Sequence, residues 1–199
     1  MKTNYVLVDC ENVMPDNLAR LDKEWFRVLL FVGANQTKIP FSLVKEVQKF
    51  GERAEYIEIA GTGHNALDFH IAYYIGLVSA KEPDAYFHIV SNDSGFDPLI
   101  THLKSQKIFA DRVSDIKLIP VLAIEELTTK TLSEKLAFVK ERLLGVNVTR
   151  PRSRKTLTSH IATMFGKKLP ENEVEKLVGQ LFVDGIVKEN GKRLEYAGE

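Results

Sequence analysis

Strand-like and helix-like segments alternate along the first 126 residues of this chain, and few folds accommodate such an order. Short apolar runs typical of buried strands fall at residues 5–8, 28–32, 86–90 and 117–122, and residues 55–59 alternate between polar and apolar as a further strand. Between them, apolar residues recur at helical spacing over residues 41–50, 65–78 and 98–105. The alternation predicts an α/β protein with a doubly wound, Rossmann-like parallel sheet. Ligands of such sheets bind at the carboxyl ends of the strands, so functional residues are expected at that edge.

The composition excludes several classes of protein. The chain has 199 residues and a single cysteine, Cys10, so it can form neither an intrachain disulfide nor a multi-cysteine zinc site. No apolar run approaches the roughly 18 residues needed to span a bilayer. The residues before the first predicted strand do not resemble a signal peptide. We therefore expect a cytoplasmic protein that has no membrane partner.

The last third of the chain has a different organisation. Residues 132–144 predict a helix, and the basic, proline-containing stretch at 149–155 is typical of a domain boundary. Two further helical patterns, at 156–165 and 171–184, precede an Asn190-Gly191 pair between strand-like runs, which is a strong hairpin signal. Two helices followed by a hairpin predict a small winged-helix-like α+β domain. The expected organisation is an α/β domain at 1–126, a linker helix at 127–150 and the winged-helix-like domain at 151–199.

The formal net charge of zero hides an asymmetry between the two parts of the chain. Residues 1–126 carry 13 Lys and Arg against 18 Asp and Glu, a net of −5. Residues 127–199 carry 14 against 9, a net of +5. This distribution is expected if the first part holds cations and the second meets phosphates. Two solvated surfaces of accidental sign are the alternative.

Aspartates follow the predicted strands at three strand-to-helix junctions. Asp9 ends the first strand, Asp93 follows the fourth, and Asp97 lies one helical turn further on. Asp68 stands near the start of the helix that follows the third strand. All four are expected to converge at one edge of the sheet. Clustered carboxylates repel unless cations neutralise them, and oxygen ligands select hard ions such as Mg²⁺ or Mn²⁺. The pattern therefore predicts a metal centre suited to phosphodiester cleavage.

Each of these aspartates also has a purely structural explanation. Aspartate and asparagine are common in the turns that follow strands. Asp97, which precedes Pro98, suits a helix N-cap, and the helix dipole favours Asp68 near a helix start. The conjunction of all four is harder to explain in this way. Nearby Asn12 and Ser91 are expected to orient a carboxylate or to contact a substrate phosphate.

Three spaced motifs carry a resemblance to a known family. VDCENV resembles the opening motif of NYN and related PIN-like nucleases, in which asparagine follows the aspartate three residues later. HNALDFHIAYYIG looks like their central helix motif, and VSNDSGFDPLI is similar to their serine-x-aspartate motif. The resemblance covers about residues 4–122, and it maps family aspartates onto Asp9, Asp68 and Asp93. It implies a PIN-like fold, a divalent metal (Mg²⁺ or Mn²⁺) and cleavage of single-stranded RNA.

One position departs from the family pattern. Many NYN members have Asp-x-Asp-Phe in the last motif, and here the second aspartate position is Gly95, so Asp97 is expected to replace it. The leading hypothesis is a metal-dependent endoribonuclease whose catalytic metal ligands are Asp9, Asp68, Asp93 and Asp97. Its rival is a catalytically inactive RNA-binding or adaptor protein. A phosphatase of the haloacid-dehalogenase type would need an aspartate at position 11, which is a glutamate.

Other residues are candidates for contact with the substrate. His64, after a Gly-Thr-Gly loop, and Lys38, after the second strand, lie at the predicted ligand edge, although a plain turn and a solvated lysine are alternatives. In the C-terminal domain, Arg152, Arg154 and Lys155 are predicted to contact phosphate, and a protein-interaction module is nearly as well supported. The expected partner is single-stranded RNA. DNA, a protein bound by the C-terminal domain and a second copy of the chain are further candidates.

Overall fold

The computed structural model describes residues 2–63, 65–145, 150–191 and 193–197. The chain divides into two compact units, Met1–Ile119 and Pro120–Glu199. Residues 120–126, which the sequence assigns to the first domain, therefore belong to the second unit. No helix within the described ranges is both long and apolar enough to cross a membrane.

The first unit is built around a five-stranded sheet in which every pair of neighbours is parallel. Its strands are β1 (Asn4–Asp9), β2 (Phe26–Val32), β3 (Ala54–Glu58), β4 (Tyr86–Val90) and β5 (Phe109–Val113). Three helices lie between them in the chain, namely α1 (Phe41–Gln48), α2 (Ala66–Lys81) and α3 (Phe96–Ser105). Short 3-10 helices span Leu18–Leu21, Gly51–Arg53 and Ile116–Leu118. The predicted α/β fold with a doubly wound parallel sheet is confirmed.

Both faces of the central strands are buried. Leu7, Phe31 and Phe87 pack in one cluster with apolar residues of α2 and α3. Val6 and Val8, which alternate with Leu7 along β1 and so point to the other face, are also fully buried. Burial on two sides explains why these strands are recognisable in the sequence as continuous apolar runs.

The strand order β3-β2-β1-β4-β5 reverses between β1 and β4. The connections after β1 and β4 therefore lead to opposite sides of the sheet, and they leave a crevice at the carboxyl ends of these two strands. Asp9 is the last residue of β1, and Ser91 follows β4 directly. The topology thus places these two residues beside the crevice.

The fifth strand lies earlier in the chain than the sequence predicts. The strand expected at residues 117–122 is wrong, because Ile116–Leu118 is a 3-10 helix and α4 (Pro120–Thr129) begins at Pro120. Proline cannot donate to a strand ladder, but it suits the first turn of a helix. The true strand, β5, is an edge strand that carries Asp111 and Arg112. These two charged residues interrupt the apolar run by which the other strands are recognised.

The second unit contains helices followed by a β-hairpin. After α4 come α5 (Leu132–Leu144), α6 (Arg154–Met164), α7 (Glu171–Val183), β6 (Val187–Asn190) and β7 (Arg193–Tyr196). Thr131 and Ser153 begin α5 and α6 with capping boxes. Residues of α5, α6, α7 and both hairpin strands share one apolar core. The antiparallel β6–β7 hairpin turns at Gly191, whose φ of 61° explains the glycine of the Asn-Gly signal.

Candidate metal centre

The carboxylate of Asp9 is the best-anchored group at the carboxyl edge of the sheet. Asp9 is only 1% exposed, and its side chain accepts four hydrogen bonds. The backbone N–H groups of Glu11 and Asn12 donate to Oδ1, each at 3.2 Å. Asn12 Nδ2 and Ser91 Oγ donate to Oδ2, each at 2.7 Å. A buried charge is costly unless it is paired or hydrogen-bonded, and these donors supply that compensation.

Ser91 links Asp9 to the loop that follows β4. Its hydroxyl donates to Asp9 and accepts a hydrogen bond of 3.0 Å from the backbone N–H of Asp93. Because Ser91 is fully buried, its hydroxyl serves these protein groups and orients the Asp9 carboxylate. Asn12 is exposed, but its amide also contacts Asp9. Of the roles considered for these two side chains, the geometry favours orientation of a carboxylate.

Asp93 is held by its close contact with Gly95. The backbone N–H of Gly95 donates to Asp93 Oδ1 at 2.7 Å. A Cβ atom at position 95 would lie 3.1 Å from that same oxygen, closer than side-chain carbons normally approach. Asp93 Oδ2 accepts no hydrogen bond from the residues that the structure describes. The acid that the family pattern places at position 95 is therefore replaced by a glycine against which the Asp93 carboxylate packs.

Asp97 is bound by Arg112, a residue that the sequence analysis did not identify. Arg112 Nε donates to Asp97 Oδ1 at 2.8 Å, and Arg112 Nη2 donates to Oδ2 at 3.2 Å. The hydrogen bonds from Arg112, aided by its charge, lower the pKa of Asp97. Arg112 Nη1 also donates to the Ser91 carbonyl at 3.3 Å. Arg112 lies on β5, the strand that the sequence misplaced, so no sequence signal pointed to it.

The four predicted acids do not form a single cluster. Asp68 lies in the first turn of α2 and is half-buried. No three Asp, Glu, His or Cys side chains come together as a metal site within the part of the chain that the structure describes. Asp9 and Asp93 are joined through Ser91, whereas both oxygens of Asp97 contact Arg112. The assignment of Asp97 as a metal ligand stays a prediction, and a metal ion bound there would lie beside the Arg112 guanidinium.

The donor chemistry of this edge fits a hard divalent cation. Asp9 and Asp93 offer carboxylate oxygens, and Asp93 Oδ2 faces no competing hydrogen-bond donor among the described residues. Mg²⁺ and Mn²⁺ prefer such oxygen ligands over nitrogen or sulfur. The Cys10 thiol is a soft donor, and hard ions such as Mg²⁺ and Mn²⁺ prefer oxygen ligands to it. Burial, with a smaller contribution from the charge of Asp9, raises its pKa to about 12, so the thiol is protonated at neutral pH and is a poor nucleophile.

Glu11 is a further carboxylate at this edge, in addition to the four predicted metal ligands. Its side chain lies directly over Gly33, at the end of β2, where a Cβ atom would come within 1.9 Å of Glu11 Oε1. Glu11 also lines a cleft of about 110 Å³ together with Asn35 and the Gly61–Gly63 loop. The glycine after β2 thus makes room for the acid that follows Asp9.

The remaining predicted contact residues are dispersed. Lys38 is exposed in the loop between β2 and α1, and His64 lies outside the described residues. Arg152, Arg154 and Lys155 are exposed in the second unit. Arg154 and Lys155 line a groove of about 640 Å³ between α6 and α7. Its apolar lining residues are Ala162, Leu169 and Val174.

The chain is therefore an α/β protein with carboxylates at the point where the strand order of its parallel sheet reverses. A family model described as the PIN domain matches residues 3–113, more than half of the chain, and the chain belongs to this family. PIN domains are in general metal-dependent nucleases, typically with Mg²⁺ or Mn²⁺. A search of curated proteins and a search of solved structures each found no match to the chain.

Proposed function

We propose that this chain is a metal-dependent endoribonuclease that hydrolyses phosphodiester bonds of single-stranded RNA. The observation that carries the proposal is the Asp9 carboxylate, which is 1% exposed and held by four hydrogen bonds beside Asp93. Membership of the PIN domain family supports the general class of reaction. Preorganised charged groups at a crevice are what such a reaction requires, because they avoid the cost of reorganisation when charge develops.

We assign Asp9, Asp68 and Asp93 as the residues that would hold a divalent cation. A cation of this kind, when bound, neutralises developing charge on the phosphate and lowers the pKa of water. The chain itself supplies orientation: Ser91 and Asn12 fix the Asp9 carboxylate, and Gly95 fixes that of Asp93. No protein nucleophile is needed for hydrolysis, which agrees with the raised pKa of Cys10.

The preference for RNA rests on the resemblance of the three motifs to NYN nucleases. The second unit adds support, since its helices and hairpin follow the order of a winged helix, a fold that often binds nucleic acid. Arg152, Arg154 and Lys155 are exposed there, and we assign them to phosphate contacts. Lys38 and His64 are likewise assigned to contacts with the substrate strand. Contacts of this kind make binding weaker as the salt concentration rises.

The decisive experiment is cleavage of labelled single-stranded RNA and DNA in the presence of Mn²⁺, Mg²⁺ or EDTA. We expect RNA cleavage that EDTA abolishes and that Asp93→Asn reduces by at least about a hundredfold, as loss of groups that act on the transition state typically does. Asp84→Asn is the matched control, because Asp84 is exposed and pairs with Lys2 at the opposite end of β4. Faster cleavage of DNA than of RNA would overturn the substrate assignment.

A catalytically inactive RNA-binding or adaptor protein is the second candidate. Two observations favour it: Asp97 is paired with Arg112, and no group of three potential ligands is assembled among the described residues. Binding of RNA by a folded protein without cleavage under any metal condition would establish this candidate and remove the nuclease.

A further inference from the structure

The pairing of Arg112 with Asp97 bears on how many metal ions the centre can hold. The two hydrogen bonds, of 2.8 and 3.2 Å, use two guanidinium nitrogens and both carboxylate oxygens. Two-point contacts of this kind combine full charge with fixed geometry, and they are among the strongest pairs that arginine makes. A cation that bound Asp97 would share this carboxylate with Arg112 and would lie beside a positive charge.

Arg112 is anchored by more than its carboxylate partner. Its Nη1 atom donates to the carbonyl of Ser91, the residue whose hydroxyl holds Asp9. The Arg112 side chain is 22% exposed, compared with 56% for Asp97, so the cation is the less solvated member of the pair. The hydrogen bonds to Asp97 raise the pKa of Arg112, and the negative charges of Asp97 and Asp93 add to this effect. Arg112 thus balances negative charge on the β4 side of the crevice.

Position 95, where the family pattern has an aspartate, is a glycine and supplies no metal ligand. Gly95 donates its N–H to Asp93 Oδ1, and a Cβ atom there would lie 3.1 Å from that oxygen. The carboxylates that the structure joins at this edge, through Ser91, are those of Asp9 and Asp93, and the family motif adds Asp68 from α2. The Glu11 carboxylate lies over Gly33 instead. Two or three carboxylates balance the charge of one divalent ion, whereas a two-metal arrangement needs further anionic ligands.

We propose that Arg112 is a resident cation for Asp97, so that Asp97 holds no metal and the centre takes a single divalent ion. Arg112 is then a positioning residue: it neutralises Asp97 and ties the first turn of α3 to the Ser91 carbonyl. The inference rests on the proposed metal centre and adds to it the number of ions. It assigns Asp97 to Arg112 in place of the metal.

The test counts Mn²⁺ ions bound to the full-length protein without nucleic acid, by electron paramagnetic resonance and by calorimetry. We expect the wild type to bind a single Mn²⁺. Asp93→Asn should weaken binding by at least about tenfold, whereas Asp97→Asn should change it by no more than about twofold, since only the former removes a ligand. Arg112→Gln should gain a second Mn²⁺, because it frees the Asp97 carboxylate. The double variant Arg112→Gln/Asp97→Asn should return to the wild-type count.

Arg112→Lys provides the conservative variant, since it keeps a positive charge without the two-point geometry. We expect it to keep the single-ion count, and melting curves with EDTA will show that each variant is folded. Weakening of Mn²⁺ binding by Asp97→Asn to the extent seen for Asp93→Asn would overturn the inference. So would an Arg112→Gln variant that gains no Mn²⁺. A protein that shows the expected counts but cleaves no RNA would instead overturn the proposed nuclease and leave the role of Arg112 intact.

Discussion

At the scale of single residues, the chain stabilises a buried charge with neutral donors. Asp9 is shielded from water, and its two shortest contacts come from the amide of Asn12 and the hydroxyl of Ser91. Neutral donors leave the negative charge in place, whereas a guanidinium would cancel it. The charge of Asp9 is therefore available to a cation, and that of Asp97, which Arg112 neutralises, is not.

Ser91→Ala should lower the free energy of unfolding by about 1–3 kcal/mol, because it leaves a buried carboxylate oxygen short of one donor. It should also weaken Mn²⁺ binding, since Asp9 loses an orienting contact. Urea denaturation and Mn²⁺ titration measure the two effects. Ser94→Ala is the matched control, because Ser94 is exposed in the same loop. Equal stability of the two variants would contradict the role of the buried hydroxyl.

Cys10 should resist alkylation in the native protein. Its raised pKa of about 12, caused first by burial and then by the charge of Asp9, keeps the thiol protonated at pH 8. Because folding raises this pKa, the protonated thiol also makes a contribution to the free energy of unfolding. That contribution is complete below pH 9, the usual thiol pKa, and is lost as the pH rises toward 12. Iodoacetamide labelling followed by mass spectrometry, with and without urea, tests the first effect. Rapid native labelling at pH 8 would refute it.

At the scale of elements, a buried histidine joins three strands of the sheet. His88 on β4 contacts Asp111 Oδ1 on β5 through Nδ1 at 2.7 Å. Its Nε2 contacts Asn4 Oδ1 on β1 at 2.9 Å, and its ring stacks on Tyr86. Asn4 is the first residue of β1, while Asp9 is the last. One imidazole thus connects the central strand, its neighbour and the charged edge strand.

His88→Leu should lower the free energy of unfolding by about 1–3 kcal/mol, because it removes the ring contacts of two polar side chains. Mn²⁺ binding should stay unchanged, since none of the side chains that contact the ring is a proposed metal ligand. His102→Leu, at an exposed position of α3, is the matched control. A His88→Leu protein as stable as this control would show that the network contributes nothing to the sheet.

At the scale of the whole molecule, the chain has two units and each has its own core. Sheet residues pack with α2 and α3 in the first unit, and α5, α6, α7 and the hairpin pack together in the second. A first unit of 119 residues is long enough to bury a core by itself. The proposed metal ligands all lie in this unit, and the candidate phosphate contacts Arg152, Arg154 and Lys155 lie in the other.

A fragment of residues 1–119 should therefore fold alone and bind Mn²⁺ with the affinity of the full-length protein. Its single-stranded RNA binding should be weaker, because it lacks the basic residues of the second unit. Thermal unfolding, Mn²⁺ titration and RNA binding at several salt concentrations measure these properties. The same fragment with Asp93→Asn serves as the control for metal binding. A fragment that unfolds without cooperativity would contradict the independence of the first core.

The sequence by itself determined the class of fold and the position of the candidate site. Continuous apolar runs identified β1, β2 and β4, because the central residues of these strands are buried on both faces of the sheet, and alternation of polar and apolar residues identified β3. Asp9 could be placed at the carboxyl edge because it ends such a run, and Asp93 because it lies in the loop that follows another. The helices and the hairpin of the second unit were predictable for a similar reason, since periodicity and an Asn-Gly turn are local signals.

Tertiary structure alone decided how the acids are partnered. Ser91 meets Asp9 from 82 residues away and Arg112 meets Asp97 from 15 residues away, and both contacts depend on neighbouring elements of the sheet. The charged edge strand β5 carries no continuous apolar run, so neither its place nor the direction of Arg112 could be deduced from the sequence. Local patterns specify which residues reach an edge. Strand adjacency and burial specify which of these residues meet a neutral donor and which meet an opposite charge, because such contacts arise only when distant segments pack together.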